Sequence, residues 1–509
     1  MIGNAENTIK IRNNETISLH NIPLLPYHKF YDTASALLGQ AHYHCVNYYG
    51  FPYKNSLHLI CAVANDHDRT IEIFSCQIAN ESGIHLESLT AKHYAMHCYE
   101  REIAENFGVV FTNHPWLKPI RYPHDRANKS DTINTYPFYS IAGDQIHEVG
   151  VGPVHAGVIE PGHFRFICNG EMVLHLEIQL GWQHRGIEHL FLKKKKLLER
   201  TTLAENITGD TAVGHNLAFV SLMESLGNLP ARYDKKLGYE RALALEMERI
   251  GIHVGDLSAM CTDVAFQLGS AVFGALRTPI INYTQLWCGN RFGKGFLRTG
   301  GTNYPINEKL ISKLQFLFDD FTTKFNEISV YTFNLPSVLS RFEGCGTVTL
   351  KQVKLIGAVG MVARMAGMVR DIRHTHPFAS YTDIPYKPAV LTTGDVYARG
   401  VLRKMEIEKS TLYIQTLKQN VMSLPESPKP VYKVNLAPES FAISLVEGWR
   451  GEICHCAITD EDGELAHYKV KEPSLHNWLG LALALRNTEI SDFPINNKSF
   501  DLSYCGYDL

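Results

Sequence analysis

The segment 240–260 constrains the fold of this chain most, because it carries two side-chain stripes at helical spacing. The apolar stripe consists of Leu243, Met247, Ile250, Val254 and Leu257, and the polar stripe consists of Glu246, Arg249, His253 and Asp256. This pattern predicts a long helix. Similar patterns predict helices over 308–329, 349–371 and 408–422, so we expect the larger part of the chain to be mostly helical.

The first part of the chain has a different pattern. Residues 57–64 and 70–78 are rich in β-forming side chains and are joined by turn residues, which predicts two strands. The stretch from Ser88 to Asn106 predicts a helix, with Gly108 as its C-cap. We therefore expect a small α+β domain at the N-terminus.

A chain of 509 residues is long enough for two unequal domains. We expect the first domain over residues 1–125, a linker rich in turn-forming residues over 126–148, and the second domain over 149–509. The second domain begins with two predicted strands split by Asn169-Gly170, a strong hairpin signal. Further strands are predicted over 441–459 and 467–473, followed by a buried helix over 477–486.

Composition excludes several classes of protein. Lys and Arg number 49 against 52 Asp and Glu, and this near balance argues against a nucleic-acid partner. The 11 cysteines form no C-x-x-C pair, which suits a reducing compartment. We expect no signal peptide, and no apolar run reaches the about 18 residues that a membrane span requires. Motifs of dinucleotide-binding, P-loop, zinc-protease and serine-hydrolase enzymes are also absent.

Two short segments carry candidate chemistry. A loop rich in Gly and Pro contains His155 and His163 and leads into Arg165; such loops can place imidazoles beside a cofactor, although a turn with incidental histidines has the same pattern. His184, Arg185 and Glu188 lie at a predicted helix start, where His184 and Glu188 share one face. A carboxylate beside an arginine could relay protons there, or form a structural ion pair.

Cys454 and Cys456 share one face of a predicted strand. No second pair of cysteines lies nearby in the sequence, whereas a zinc site normally needs four ligands. We therefore predict no metal site in this segment.

Residues 96–123 resemble the signature of the 30-kDa subunit of respiratory complex I. The resemblance rests on Glu100-Arg101-Glu102, on Phe107-Gly108, and on His114-Pro115 followed by Leu117. Ala104 stands where an aromatic residue is usual in that family.

Residues 151–166, 180–190, 246–255 and 392–400 resemble the large subunit of group 4 [NiFe] hydrogenases of the formate hydrogenlyase and hydrogenase-4 type. That subunit is homologous to the 49-kDa subunit of complex I, and fusion of the two modules in this order is a known arrangement in the family. The resemblance implies an α+β fold, in which a mostly α-helical hydrogenase-like domain with a β-hairpin near its start follows the small domain.

The departures from the family concern its nickel site, which uses two C-x-x-C pairs. The first pair is replaced by Thr208 and Thr211, and the second by Ser503 and Gly506. Hydroxyl groups and a glycine cannot replace four thiolates as nickel ligands. The chain also ends shortly after the second motif, at Leu509, so we expect no C-terminal extension to be clipped after nickel insertion. These observations predict that this chain binds no metal.

The sequence retains a candidate for one of the two quinone contacts that the resemblance to complex I implies. The position of the family's quinone-contacting tyrosine is Gly209, whereas His155 or His163 could take the place of its quinone-contacting histidine. Asp210 adds a carboxyl group beside the former metal cavity. Its pKa would be raised by burial, or else it is a solvated loop residue.

The candidate site residues follow from this resemblance. Arg185, Glu188 and Asp210 are the candidate catalytic or proton-path groups. The former metal cavity or quinone pocket is expected to be lined by His155, His163, His184, Thr208 and Thr211.

The resemblance implies a nickel-free large subunit of a membrane-associated oxidoreductase complex that transfers electrons, with quinone as a candidate acceptor, coupled to ion translocation. The implied partners are an iron–sulfur small subunit like that of complex I and antiporter-like membrane subunits. The chain itself would hold no cofactor and would be cytoplasmic, peripheral on the inner face of the cell membrane. A non-redox scaffold or gating subunit, and an active hydrogenase with unusual ligands, remain the alternatives.

Overall fold

The computed structural model describes residues 7–79 and 83–509. Its α-helices are α1 Tyr27–Leu38, α2 His97–Phe107, α3 Ile187–Lys193, α4 Leu197–Ala204, α5 Ala212–Leu226, α6 Lys235–Asp263, α7 Gln267–Cys288, α8 Glu308–Thr332, α9 Pro336–Phe342, α10 Leu350–Ile356, α11 Gly360–Arg364, α12 Ile372–Thr375, α13 Val396–Val421, α14 Ser474–Ala484, α15 Phe493–Phe500 and α16 Tyr504–Asp508. Its strands are β1 Ile9–Ile11, β2 Thr16–Ser18, β3 Leu24–Leu25, β4 Tyr43–Tyr53, β5 Ser56–Asn65, β6 Thr70–Ala79, β7 His85–Glu87, β8 Val110–Thr112, β9 Ile146–Val151, β10 His163–Asn169, β11 Met172–Gln179, β12 Leu297–Arg298, β13 Gly301–Thr302, β14 Ser440–Glu447, β15 Glu452–Thr459 and β16 Leu465–Lys471. The mixture confirms the predicted α+β class.

The N-terminal part is built on a sheet in the order β1-β6-β5-β4, with β3 added parallel to β6. The two predicted strands are β5 and β6, which pair antiparallel. The predicted helix begins at His97 rather than at Ser88, because the Glu100 carboxylate accepts hydrogen bonds from the backbone N–H groups of Leu89 and Thr90 and holds this stretch in two short 3₁₀ turns. Gly108 ends the helix in the left-handed conformation, as predicted.

The predicted hairpin is present as β10 and β11, which pair antiparallel from His163 opposite Gln179 to Asn169 opposite Met172. The third strand of this sheet is β9, which pairs with β10 and begins inside the stretch predicted as a linker. The sheet packs against the C-terminal helix α14.

Helix α6 runs through the centre of the helical part and contacts α5, α7, α13 and α15. Asp234 caps its N-terminus by accepting a hydrogen bond from the backbone N–H of Leu237. The apolar and the polar stripe predicted from the sequence are both buried. The polar stripe forms ion pairs with arginines and a carboxylate of α12 and α13, so α6 is buried on its polar stripe as well as on its apolar one.

The prediction of one helix over 349–371 was wrong. The chain forms α10 and α11 there, separated at Gly357 and Gly360, which both have positive φ. A Cβ at Gly360 would lie 2.1 Å from the carbonyl oxygen of Arg450, so this glycine permits close backbone contact. The helix predicted over 408–422 begins earlier, at Val396, where Asp395 caps it.

The C-terminal strands form a sheet in the order β16-β15-β14-β2. The run predicted as strand over 441–459 turns at Gly448–Gly451 and supplies both β14 and β15. Strand β2, from the beginning of the chain, pairs with β14 and joins the two parts of the molecule. Within the described residues, no helix combines the length and apolar character that crossing a membrane requires.

Candidate functional site

The two altered motifs lie side by side in the structure. Residues 206–211 lead into α5, and residues 501–506 include the first turn of α16. A Cβ at Gly506 would lie 2.6 Å from Cγ2 of Thr208 and 2.8 Å from Cγ of Glu472. The positions of the family's first and second cysteine pairs therefore meet here, with the Glu472 side chain in the space that a side chain at 506 would need.

The side chain of Arg450 joins the two motifs. Its Nη1 and Nη2 donate to the two carboxylate oxygens of Asp210 at 2.7 and 2.8 Å, and Nη1 lies 3.4 Å from Oγ1 of Thr211. Its Nε donates to the carbonyl oxygen of Asp501 at 2.6 Å. A buried guanidinium thus holds together the segments that hold nickel in the resembling family.

This ion pair overturns one prediction about Asp210. Burial acts to raise the pKa of the Asp210 carboxyl, but the attraction of Arg450 outweighs burial and holds the pKa below its usual value. The Asp210 side chain is neither a proton carrier near neutral pH nor fully solvated; it is 37% exposed and bound at both oxygens.

Arg185 and Glu188 do not contact each other as a pair. Arg185 donates to the carbonyl oxygens of Asn206 and Ile207 at 2.8 Å each, and to that of Cys505 at 3.0 Å. Glu188 instead forms an ion pair with Lys469 at 3.1 Å. Arg185 therefore braces the two altered motifs, while Glu188 is bound to strand β16.

His184 lies before helix α3 rather than on it, because the helix begins at Ile187 after Gly186, which has a φ of 65°. The predicted shared helical face of His184 and Glu188 was therefore wrong. His184 Nδ1 donates to the carbonyl oxygen of Asp508 at 2.6 Å, and burial lowers the pKa of its imidazole.

The histidines of the Gly- and Pro-rich loop brace the loop itself. His155 Nε2 donates to the carbonyl oxygen of Gly162 at 2.8 Å, and His163 Nδ1 donates to that of Gly152 at 3.0 Å. One ring nitrogen of each histidine is thereby occupied, which leaves the other for a ligand.

One end of this loop reaches the second motif. Glu160 accepts a hydrogen bond from the backbone N–H of Cys505 at 3.3 Å. Arg165 lies elsewhere, on strand β10, where it pairs with Glu148 of β9. The structure thus brings the loop to the former metal cavity and leaves Arg165 outside it.

Three acidic or basic groups of the site, buried or partly buried, were missed from the sequence. Burial raises the pKa of Glu472 to about 7 and that of Glu248 to about 8, although Glu248 accepts hydrogen bonds from Val213 and Gly214 at the start of α5. The third group is Arg450. Its charge between the predicted strands over 441–459 was the signal that could have identified it.

A hydrogen-bonded chain of three buried side chains ends at this site. Tyr468 and Nδ1 of His455 are 2.8 Å apart, and Nε2 of His455 is 3.1 Å from Nδ1 of His215. In the part of the chain that the structure describes, neither Nε2 of His215 nor Oγ1 of Thr208 has a partner. Both histidines are neutral, because burial lowers the pKa of each, that of His215 to about 3.

The donor set does not fit a nickel ion. The hydroxyl groups of Thr208, Thr211 and Ser503 and the hydrogen of Gly506 stand at the positions of the four thiolates, and the Arg450 guanidinium contacts both segments. Over residues 7–79 and 83–509, no group of three or more His, Cys, Asp or Glu side chains is arranged to hold a metal ion. Cys454 and Cys456 lie together, with their sulfurs 3.7 Å apart, but away from any third ligand of this kind.

Family models match both parts of the chain. Residues 26–133 match the 30 Kd subunit of the respiratory-chain NADH dehydrogenase, and residues 269–441 match its 49 Kd subunit. These matches agree with the resemblance stated from the motifs.

Known proteins of the same kind are similar over most of the chain. Hydrogenase-4 component G of Escherichia coli K12 is 26% identical over 423 residues, which cover 80% of this chain and 72% of that protein. Formate hydrogenlyase subunit 5 of the same strain is 24% identical over 80% of this chain and 74% of that protein. A chain of the membrane-bound sulfane sulfur reductase, an archaeal respiratory membrane complex, has the same fold, with a TM-score of 0.65, 20% identity, and coverage of 73% of this chain and 100% of that one.

The fold and the matches define a fusion of the 30-kDa and 49-kDa subunit types of complex I. The chain is similar to large subunits of the group 4 hydrogenase type, and Thr208, Thr211, Ser503 and Gly506 stand at the positions that its motifs align with the four cysteines of the nickel site.

Proposed function

We propose that this chain is a nickel-free large subunit of a membrane-associated complex that resembles complex I and the energy-converting hydrogenases. The observation that carries the proposal is Arg450, whose guanidinium joins Asp210 of the first motif to the Asp501 carbonyl of the second. A nickel ion at this place would meet a fixed positive charge instead of thiolate ligands. The proposal therefore rests on residues that are present and not only on cysteines that are missing.

The redox version of this function takes electrons from an iron–sulfur small subunit, since the chain has no C-x-x-C of its own. This chain would position the electron acceptor, with quinone as the candidate, and supply its protons. Glu472 is suited to hold such a proton, because its carboxyl group is buried beside Gly506 and its pKa is raised to about 7.

His215 would orient the acceptor. In one arrangement, the Tyr468 hydroxyl donates to Nδ1 of His455, and the Nε2–H of His455 donates to Nδ1 of His215. The Nε2–H of His215 then has no partner among the described residues. The reverse arrangement would leave both the Tyr468 proton and a lone pair of His215 without partners, so the first arrangement is favoured. A neutral N–H of this kind is a hydrogen-bond donor for an oxygen acceptor.

The proposed setting follows from the relatives, whose names describe components of larger enzymes and of a membrane complex. We place the chain at the inner face of the cell membrane, with the iron–sulfur subunit beside the altered motifs and antiporter-like subunits in the membrane. Electron transfer would then be coupled to ion movement.

A second candidate is a scaffold or gating subunit without redox chemistry. It is favoured by the direct packing of the two motifs, since Thr208 and Glu472 fill the space beside Gly506. In this case the ion pair between Arg450 and Asp210 would serve only to stabilise the fold.

Quinone reduction by the complex, purified with its native partners, separates the two candidates. After chemical reduction of the iron–sulfur subunit, the redox function predicts oxidation of its clusters by a soluble quinone, and a tenfold or larger loss of rate in Glu472→Gln. Glu171→Gln is the matched control, because Glu171 is exposed in the turn between β10 and β11. Reduced clusters that no quinone oxidises, in an intact complex, would favour the scaffold. Hydrogen-dependent reduction of a viologen dye would contradict both.

A further inference from the structure

A cavity of about 510 Å³ lies between the two parts of the chain, and neither Arg450 nor Asp210 lines it. Its walls come from helix α2, the loop 114–118, strand β11 and helix α14. The volume is in the range typical of small-molecule sites, and aromatic side chains line much of it. The aromatic walls include Tyr94, Trp116, Tyr139, Trp478 and Tyr507.

A buried arginine without a carboxylate partner faces this cavity. Arg101 is 5% exposed, and its Nε and Nη2 donate to the carbonyl oxygens of Lys118 and Pro119 at 2.8 Å each. Its guanidinium also lies 4.3 Å from the ring centre of Trp116. Among the described residues, its Nη1 has no hydrogen-bond partner, and no carboxylate oxygen lies within 4 Å of the guanidinium. A buried positive charge without a carboxylate partner would be stabilised by a bound anion.

The carboxylate that lines the same cavity cannot serve as that anion. Glu177 pairs with Lys118, and it accepts hydrogen bonds from the Tyr136 hydroxyl at 3.0 Å and from the backbone N–H of Tyr139 at 2.7 Å. Its charge is therefore balanced by Lys118. Another carboxylate whose charge acts on Arg101, that of Glu105, accepts hydrogen bonds from the backbone N–H groups of Ile120, Arg121 and Tyr122, so no carboxylate pairs directly with Arg101 among the described residues.

A second arginine lies at the rim. Arg486 is exposed at the end of α14, and no ion pair involves it in the described part of the chain. Its positive field reaches the cavity wall, because it adds to the effect of burial in lowering the pKa of His175. One end of the cavity is thus positive, while Trp116, Trp478 and Leu479 give it apolar walls.

We propose that this cavity is a binding site for a small organic anion. The acidic group would pair with Arg101 and Arg486, and an aromatic or alicyclic body would lie against the apolar walls. The site goes beyond the proposed function and does not depend on it. It lies next to the second altered motif, since Trp478 Nε1 donates to the carbonyl oxygen of Ser503 at 3.2 Å.

Calorimetric titration of the full chain with 2-naphthalenesulfonate tests the proposal, with the uncharged 2-naphthalenesulfonamide as the matched ligand. We expect one molecule of the sulfonate to bind and the sulfonamide to bind much more weakly. Arg486→Gln should weaken sulfonate binding about fivefold, the upper end for an ion pair at an exposed rim. Arg69→Gln, which neutralises an exposed arginine in the turn between β5 and β6, should have no effect.

Leu479→Trp fills the cavity without changing its charge, and it should abolish binding while the melting temperature stays within a few degrees of the wild type. A crystal structure with the sulfonate should show its acidic group on Arg101. Equal binding of the sulfonate and the sulfonamide, or unchanged sulfonate binding in Arg486→Gln and Leu479→Trp, would overturn the proposal.

Discussion

Replacement of Arg450 by methionine tests whether one ion pair holds the two altered motifs together. The variant removes two hydrogen bonds to Asp210, at 2.7 and 2.8 Å, and one to the Asp501 carbonyl, at 2.6 Å. Charge-assisted bonds of a buried group contribute about 1.5–3 kcal/mol, but the Asp210 side chain is 37% exposed and water screens its pair. We therefore assign about 1–2 kcal/mol to the pair and about 1 kcal/mol to the Asp501 bond, which makes about 2–3 kcal/mol in total.

The assay is hydrogen exchange read by mass spectrometry in peptides covering residues 206–212 and 501–506, which gives the free energy of local opening. A double-mutant cycle with Asp210→Asn should return a coupling of about 1–2 kcal/mol in both peptides. The control cycle uses Lys324 and Asp320, an exposed pair on α8 that should couple by about 0.3–0.5 kcal/mol. A coupling between Arg450 and Asp210 that is no larger than this control, or that is confined to one peptide, would show that this ion pair does not hold the two motifs together.

Three further predictions concern the same site. Gly506→Ala should destabilise the chain by about 1–3 kcal/mol in urea unfolding, because its Cβ would meet atoms at 2.6 and 2.8 Å. The control is Gly209→Ala, whose Cβ would meet nothing within 4 Å and should change stability by less than about 0.5 kcal/mol. Equal effects of the two substitutions would contradict the close packing at Gly506. Burial raises the pKa of Glu472 to about 7, so the folded chain binds more protons than the unfolded chain between pH about 4.5 and 7. The free energy of unfolding should therefore fall by an amount of order 3 kcal/mol as pH rises through this window. Glu472→Gln should remove that component of the pH dependence, and an unchanged profile would exclude Glu472 as its source. Tyr468→Phe should lower the free energy of unfolding by about 1–2 kcal/mol, because Nδ1 of His455 loses its partner. It should also shift the imidazole ¹⁵N resonances of His455 that report the tautomer. Resonances that stay in place would contradict the direction assigned to the hydrogen bonds from Tyr468 to His215.

Local patterns predicted much of the fold. The turn at Asn169-Gly170 gave the hairpin of β10 and β11, and the apolar stripe of 240–260 gave helix α6. Such features depend on residues close in sequence. The break between α10 and α11 was missed, because Gly360 turns there to meet the distant backbone of Arg450.

Long-range contacts account for what the sequence did not show. Strand β2 pairs with β14 more than 400 residues later, and no local pattern marks that pairing. Glu246 and Arg249 form a polar stripe in the sequence, which is typical of an exposed helix face. They are buried in the structure because Glu246 pairs with Arg373 and Arg249 pairs with Glu406, both on other helices.

The site, like the fold, was predicted where its residues are close in sequence and missed where they are distant. The replaced cysteines were visible at Thr208, Thr211, Ser503 and Gly506, and the structure brings the two motifs together through Thr208 and Gly506. The sequence left two alternatives for Asp210, a pKa raised by burial or a solvated loop residue, and it did not show the ion pair that lowers the pKa, because Arg450 is 240 residues away in the sequence.

The nickel and iron content of the complex purified with its native partners, measured per copy of this chain by elemental mass spectrometry, tests most directly whether the chain is a nickel-free subunit. We expect iron from the iron–sulfur subunit and no stoichiometric nickel, before and after growth in nickel-supplemented medium. Nickel near one equivalent per chain would contradict this assignment, because the ion would have to bind without the four thiolates.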